Sequence, residues 1–342
     1  IAGVSVVDPR TVRVLTKFPD GILIHRLAGL VPILPPRTIA ERGLEHFGRN
    51  PVGTGAFRFA RWEPGKEIVL TANKDWWLKG YPKLEGLTFK FLPAGRQVEG
   101  LLSGEVDVVT ELPGTDTTRV ARSGRATVVK KESFYTVGSS LNTKRGPLAS
   151  KAVRQALNHA LDKDDLVRYD LLGNGRPAAT LTLPGQPGHN PDLKPYPFDL
   201  EKARRLLKEA GYADGFHLSA LVKVQGLRTM QIMAKQLLRV GVTIDIETTT
   251  DTAAVRDMAK KPWDIVFAGC PDPLAHSFFI QFIFLSSLSP FSVTGDARYD
   301  ELLGGMLGVI DAEQQGRLAR ELDRYVHEQA LSLFTYQRIK TY

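Results

Sequence analysis

At 342 residues, with 43% hydrophobic and 24% charged side chains, the chain has an ordinary globular composition that excludes extensive disorder, and its length makes two domains the default expectation. The formal net charge is +8 and the pI about 9.5, but the basic residues are dispersed among acids, as in EKARRLLKEAG, and no run reaches five; this argues against a nucleic-acid surface. No apolar run approaches the roughly 20 residues that cross a bilayer, and the single cysteine, Cys270, cannot form an intramolecular disulfide.

In chain order, residues 1–138 read as mixed α/β, with strands expected at Thr11–Leu15, Ile68–Ala72, Leu87–Leu92, Val106–Thr110 and Ala126–Lys130 between Gly and Pro turns. The stretch PVGTGAFRFARW at 51–62 combines an X-Pro turn, two permissive glycines and a strand carrying Phe57, Phe59 and Trp62. A helix over Arg96–Ser103 presents Val98, Leu101 and Leu102 to the core, and Gly104 suits its stop.

From residue 146 the pattern turns helical. PLASKAVRQALNHALDKDDLV at 147–167 places Val153, Ala156, Leu157, Ala160 and Leu161 on one helix face, and Asp164 is expected to cap the helix that follows. The Pro-rich stretch 177–198 reads as an ordered excursion. Asp199 caps a helix with Ala203, Leu206, Leu207 and Ala210 inward, ended by Gly211. A strand at 217–222, a helix at 227–239 and a strand at Val242–Glu247 continue an α/β alternation, and a last long helix at 312–329 buries Leu318, Leu322 and Val326.

Enzyme signatures fail one by one. Gly53-Thr54-Gly55 would need a glycine at 58, where Arg58 stands, to form a dinucleotide loop. None of the seven histidines has a second His or Cys at the helical spacing of a zinc site, no Gly-x-Ser-x-Gly elbow occurs, and Asp164-Asp165 reads as helix-start charge. The expectation is no catalytic set, no metal site and no cofactor.

Taken together, the 51–62 and 147–167 segments resemble the extracellular solute-binding proteins of ABC importers, family 5, the peptide- and nickel-binding group. EPGKEIVLTANKDWWLKGYPKLEGLTFKFLP at 63–93, EGLLSGEVDVV at 99–109 and FDLEKARRLLKEAGYADGF at 198–216 extend the resemblance in the family's order. It implies an α/β, two-lobed periplasmic-binding-protein-like (type II-like) architecture with a hinge and an interlobe cleft. Residues 1–140 would be the remainder of lobe I, 141–333 lobe II and 334–342 the start of the return to lobe I, with the chain incomplete at its N-terminus and at its C-terminus. The hinge would fall at SSLNTK, 139–144, with Ser140 and Asn142, and near Leu333–Tyr336.

The function implied is non-catalytic capture of a small polar ligand between two lobes for an ABC permease, in the periplasm or on an extracytoplasmic lipid anchor. A peptide is the first expectation, with nickel complexes, opines and sugars as the other ligands of the group. The alternative, from a different class, is a ligand sensor or interaction protein on the same fold that feeds no transport. FAGCPDPLAHSFF at 267–279 resembles the family stretch whose Asp takes a peptide amine, which points to Asp272, with Cys270 and, on the returning strand, Tyr336 as companions. An Asx turn explains an Asp between two prolines equally well.

Overall fold

The computed structural model describes residues 1–112 and 114–342 and divides into two compact units: residues 1–30 with 130–340, and residues 31–129 with 341–342. The passages between units therefore lie at 30–31, 129–130 and 340–341, whereas the expected boundary at 140/141 falls at the end of a continuous strand.

The first unit opens with a hairpin, β1 (Gly3–Asp8) and β2 (Thr11–Leu15), in which the Asp8 carboxylate accepts the Arg10 N–H at 2.7 Å. α1 (Leu23–Leu30) follows fully buried Ile22. The second unit then begins with α2 (Pro36–Arg49) and a three-stranded antiparallel sheet of β3 (Phe57–Glu63), β4 (Glu67–Ala72) and β5 (Gly86–Lys90). α3 (Ala94–Ser103) and α4 (Gly114–Ser123) close over Val98, Val109, Leu112 and Val120, and Gly104 at φ 80° ends α3 as expected.

The strands expected at Val106–Thr110 and Ala126–Lys130 do not form. Their β-branched residues serve a helix-packed cluster instead. A strand needs a continuing ladder of backbone partners, and here, among the described residues, only one such bond, from the Leu112 N–H to Thr341, and one reciprocal pair, between Val129 and Tyr342, occur.

The first unit resumes with β6 (Lys130–Leu141), α5 (Lys151–Ala160), α6 (Lys163–Asp170), β7 (Gly175–Pro177), α7 (Leu200–Glu209), β8 (Phe216–Lys223), α8 (Leu227–Leu238), β9 (Val242–Thr249) and α9 (Ala254–Met258). β10 (Ile265–Pro271), α10 (Ser277–Leu285), α11 (Ala297–Leu307), α12 (Ala312–Glu328) and β11 (Tyr336–Thr341) complete it. Six strands form one mixed sheet in the order β7-β11-β6-β10-β8-β9, with β10–β8 and β8–β9 parallel and β10–β6 antiparallel.

Side chains alternate faces along each strand, which explains the two cores. Ile265 and Phe267 of β10, with Leu218, Ala220 and Val222 of β8, face one cluster with α5, α7 and α8. Ala268 and Cys270 face the other, built from α10, α11 and α12. With both faces covered, β8 and β10 read as near-continuous apolar runs, as parallel strands do.

Caps follow local chemistry. Asp199 accepts the Lys202 N–H at 2.8 Å, and Gly211 at φ 86° follows the end of α7. The cap of α6 is Asp162, which accepts the Asp165 N–H at 3.0 Å, and not the expected Asp164. A cap must precede the first helical residue with extended backbone, and Asp164 already lies within the helix. The excursion between β7 and α7 is ordered by burial of Leu181, Leu183 and Tyr196.

Candidate functional site

β8 and β10 are adjacent parallel strands, but the chain leaves them in opposite directions. α8, after β8, sends Met230, Met233 and Leu237 into one cluster, whereas α10, after β10, sends Ile280 and Phe284 into the other. Where successive connections diverge to opposite faces, the carboxyl ends of the strands leave a crevice that no helix covers, and open α/β sheets bind ligands there.

At that place lies a cavity of about 210 Å³. Its floor is Val266 and Ala268 of β10 with Leu221 of β8. One wall is Phe279, Ile283 and Phe284 of α10, and the opposite wall is Ala254 and Met258 of α9. α10 reads SFFIQFIFL, apolar around its circumference, so it is buried on one side by the core and lines the cavity on another. Its first turn is capped by the His276 imidazole, which accepts the Phe278 N–H at 3.1 Å.

The rim carries Lys223, the last residue of β8, with Thr249, the last of β9, and Phe291. The Lys223 ammonium lies 2.7 Å from the Asp251 carboxylate and 5.9 Å from the centre of the Phe291 ring. The Thr249 hydroxyl is already committed, donating to Asp257 at 2.7 Å. Phe279 closes the 267–279 stretch that the sequence pointed to, whereas Lys223, Met258 and Phe291 were not legible as lining residues. The one signal was a charged residue closing an apolar strand, and only the strand order shows which strand ends are neighbours.

Cys270 lines the same cavity. Burial pushes its thiol up to about 11, so it stays protonated near neutrality, and the thiolate needed for nucleophilic or redox chemistry is suppressed.

Asp272 follows β10 and organises the turn that leads to α10. One oxygen accepts the Leu274 N–H at 2.8 Å; the other accepts the His276 N–H at 2.8 Å and the Gln186 amide at 2.5 Å. Burial raises its pKa, and these bonds hold it down. The bond to Leu274, two residues on, is an Asx turn. The Ala275 N–H adds to the same turn, so the acceptor positions of Asp272 are largely taken up by the chain itself.

Tyr336 is not brought to this place. It belongs to the cluster on the opposite sheet face, is 3% exposed, and its hydroxyl donates to Asp170 at 2.5 Å and meets the Thr229 hydroxyl at 3.0 Å. An aromatic on the returning strand packs inward here because Asp170 supplies its hydroxyl with a buried partner. Ser140 and Asn142 are likewise committed inside the first unit. The Ser140 hydroxyl accepts the Val293 and Thr294 N–H groups at 2.8 and 3.1 Å, and the Asn142 amide donates to the Trp263 carbonyl at 3.0 Å.

The family described as bacterial extracellular solute-binding proteins, family 5 Middle, matches residues 1–287. The chain belongs to that family. Among curated family 5 relatives it is 30% identical over 245 residues to the glutathione-binding protein GsiB of Pectobacterium atrosepticum, covering 70% of this chain and 47% of that protein. To GsiB of Escherichia coli strain K12 it is 28% identical over 251 residues, covering 72% and 49%. The chain thus spans about half the length of the curated relatives it matches.

In fold it is similar to HbpA2 from Haemophilus parasuis, with a TM-score of 0.83 and 25% identity over 99% of this chain and 70% of that one. It is also similar to the periplasmic binding protein DppA from Helicobacter pylori, solved with the peptide STSA, with a TM-score of 0.81 and 22% identity over 99% and 69%. The fold is that of the periplasmic binding proteins. Among the described residues no helix is long and apolar enough to cross a membrane.

Proposed function

We propose that the protein captures a small peptide-like solute, leaves it chemically unchanged, and delivers it to the permease of an ABC importer outside the cytoplasm. The observation that carries this reading is the cavity at the divergence of β8 and β10, lined by Cys270 two residues before Asp272, in a chain of family 5. Asp272 would meet the solute's ammonium group through its negative charge, displacing one of its present donors, and Cys270 would contribute surface and no chemistry. The relatives named for glutathione support a peptide over the other ligands of the group.

Two lobes closing on the solute are part of this reading. Closure would be driven only as far as the solute binds the closed form better than the open one. The flexing residues are better placed at the passages 129–130 and 340–341 than at Ser140 and Asn142, whose side chains are held by buried hydrogen bonds within one unit.

Mass spectrometry of solute carried through purification of the full-length protein tests the reading. A peptide released on denaturation is the expected result. A metal complex, an opine or a sugar would sink it.

A further inference from the structure

We propose that the cavity between the ends of β8 and β10 is a side-chain subsite. It would take a phenyl-sized or branched aliphatic group of the solute, with a carboxylate of the same solute drawn to Lys223. The inference rests on the solute-capture reading and adds the chemistry of what is captured.

Volume sets the scale. Whole small ligands occupy pockets of roughly 300–1,000 Å³, so a cavity of about 210 Å³ holds part of a ligand. Apolar cavities of about 150 Å³ lined by Leu, Ile and Phe take up benzene, so a phenyl group has room here. The space opens where the sheet connections diverge, so a side chain can enter it from outside.

The lining sets the chemistry. Phe279, Ile283 and Phe284 on one side and Met258 on the other offer hydrocarbon and a polarisable thioether. A polar group entering would lose its hydrogen bonds to water and regain few. Met258 adds adaptability, since its unbranched side chain fills irregular gaps and makes favourable contacts with aromatic rings.

The rim sets the charge. Of the residues lining the cavity, Lys223 is the charged one. Its partner Asp251 has a side chain 64% exposed, against 27% for Lys223. A pair so exposed on one side is weak, and a solute carboxylate can displace Asp251 at the ammonium. The carboxylate would approach over Phe291, away from bulk water on that side. A solute with an apolar side chain next to an anionic group fits both halves of the cavity.

Calorimetry on the full-length protein tests this with trialanine and its three single-phenylalanine variants. One of the variants is expected to bind on the order of ten- to a hundredfold tighter than trialanine, the gain of burying a phenyl group. Met258→Trp and Ala254→Leu, which fill the cavity, should erase that gain, so that in each variant the favoured peptide binds no tighter than trialanine does. Lys223→Gln should weaken the favoured peptide and flatten its salt dependence.

Equal affinities for all four peptides, or a gain that survives both filling variants, would overturn the subsite while leaving peptide capture standing. If no peptide binds, the peptide reading fails, and 3-phenylpropionate, an apolar anion without a peptide bond, decides the subsite. Binding lost in Met258→Trp supports it, and no binding overturns it. If both filling variants unfold, competition decides: 3-phenylpropionate must displace the favoured peptide, and simultaneous binding of the two would refute the inference.

Discussion

The two halves of the six-stranded sheet solve the problem of burial differently. In the half formed by β7, β11 and β6, polar side chains knit the backbone together. The Ser332 hydroxyl donates to Ser139 at 2.7 Å, the Leu333 N–H donates to the Ser139 hydroxyl at 2.8 Å, and the Thr335 hydroxyl donates to Val137 at 2.6 Å. Asn158 adds a bridge, donating to the Ser332 carbonyl and accepting the Phe334 N–H. In the half formed by β10, β8 and β9, the strand ends carry hydrocarbon around a cavity, and polar bonds such as Lys223 to Asp251 and Thr249 to Asp257 stay at its rim. Buried networks of satisfied hydrogen bonds specify one geometry; an apolar cavity accepts any group of suitable size. The first half therefore holds shape, and the second is free to receive.

The largest test of that contrast is Phe267→Ala. Phe267 lies in the middle of β10, fully buried, where the two halves meet. Its loss should cost about 3–5 kcal/mol of stability, read by urea unfolding. A cost below about 1 kcal/mol would mean that the cavity side is loosely packed throughout.

Next comes pH. Asp323, on α12 behind the polar half, is 1% exposed, and burial pushes its carboxyl up to about 7 against hydrogen bonds from Thr180, Thr182 and Asn190. An unfolded Asp titrates near 3.9, so the folded chain holds this proton more tightly. The stabilisation is full below about pH 4 and is lost as the pH rises through about 7, on the order of 4 kcal/mol in all. Asp323→Asn should flatten the stability profile over that window, and an unchanged profile would show that Asp323 keeps an ordinary pKa.

Asn158→Ala should cost about 1–3 kcal/mol, because the Ser332 carbonyl and the Phe334 N–H would be buried without partners. Thermal melts of this variant beside Ile283→Ala, on the cavity wall, compare the halves directly. The polar loss should appear as stability alone, whereas the cavity change should also alter ligand binding.

The smallest effect separates two neighbouring acids. Asp162→Ala should cost about 1 kcal/mol as the cap of α6 is lost, and Asp164→Ala should stay within about 0.5 kcal/mol. Equal costs would restore Asp164 as a contributor.

What the sequence determined by itself is what short-range chemistry decides. The inward faces of α5 and α7, the Asp199 cap, the stops at Gly104 and Gly211, and the Asx-turn chemistry of Asp272 depend on residues within one or two turns of each other. The five ordered segments that marked the family are of the same kind. Tertiary structure decided whatever needs a distant partner. Val106–Thr110 is no strand because no ladder forms beside it, and Tyr336 turns inward because Asp170 meets it there. The cavity exists because β9 lies outside β8, which sends the connection from β9 across β8 to set β10 on its other side. Local pattern carries side-chain periodicity but not strand order, so Lys223 and Met258 stayed unremarkable until the sheet brought them to one rim.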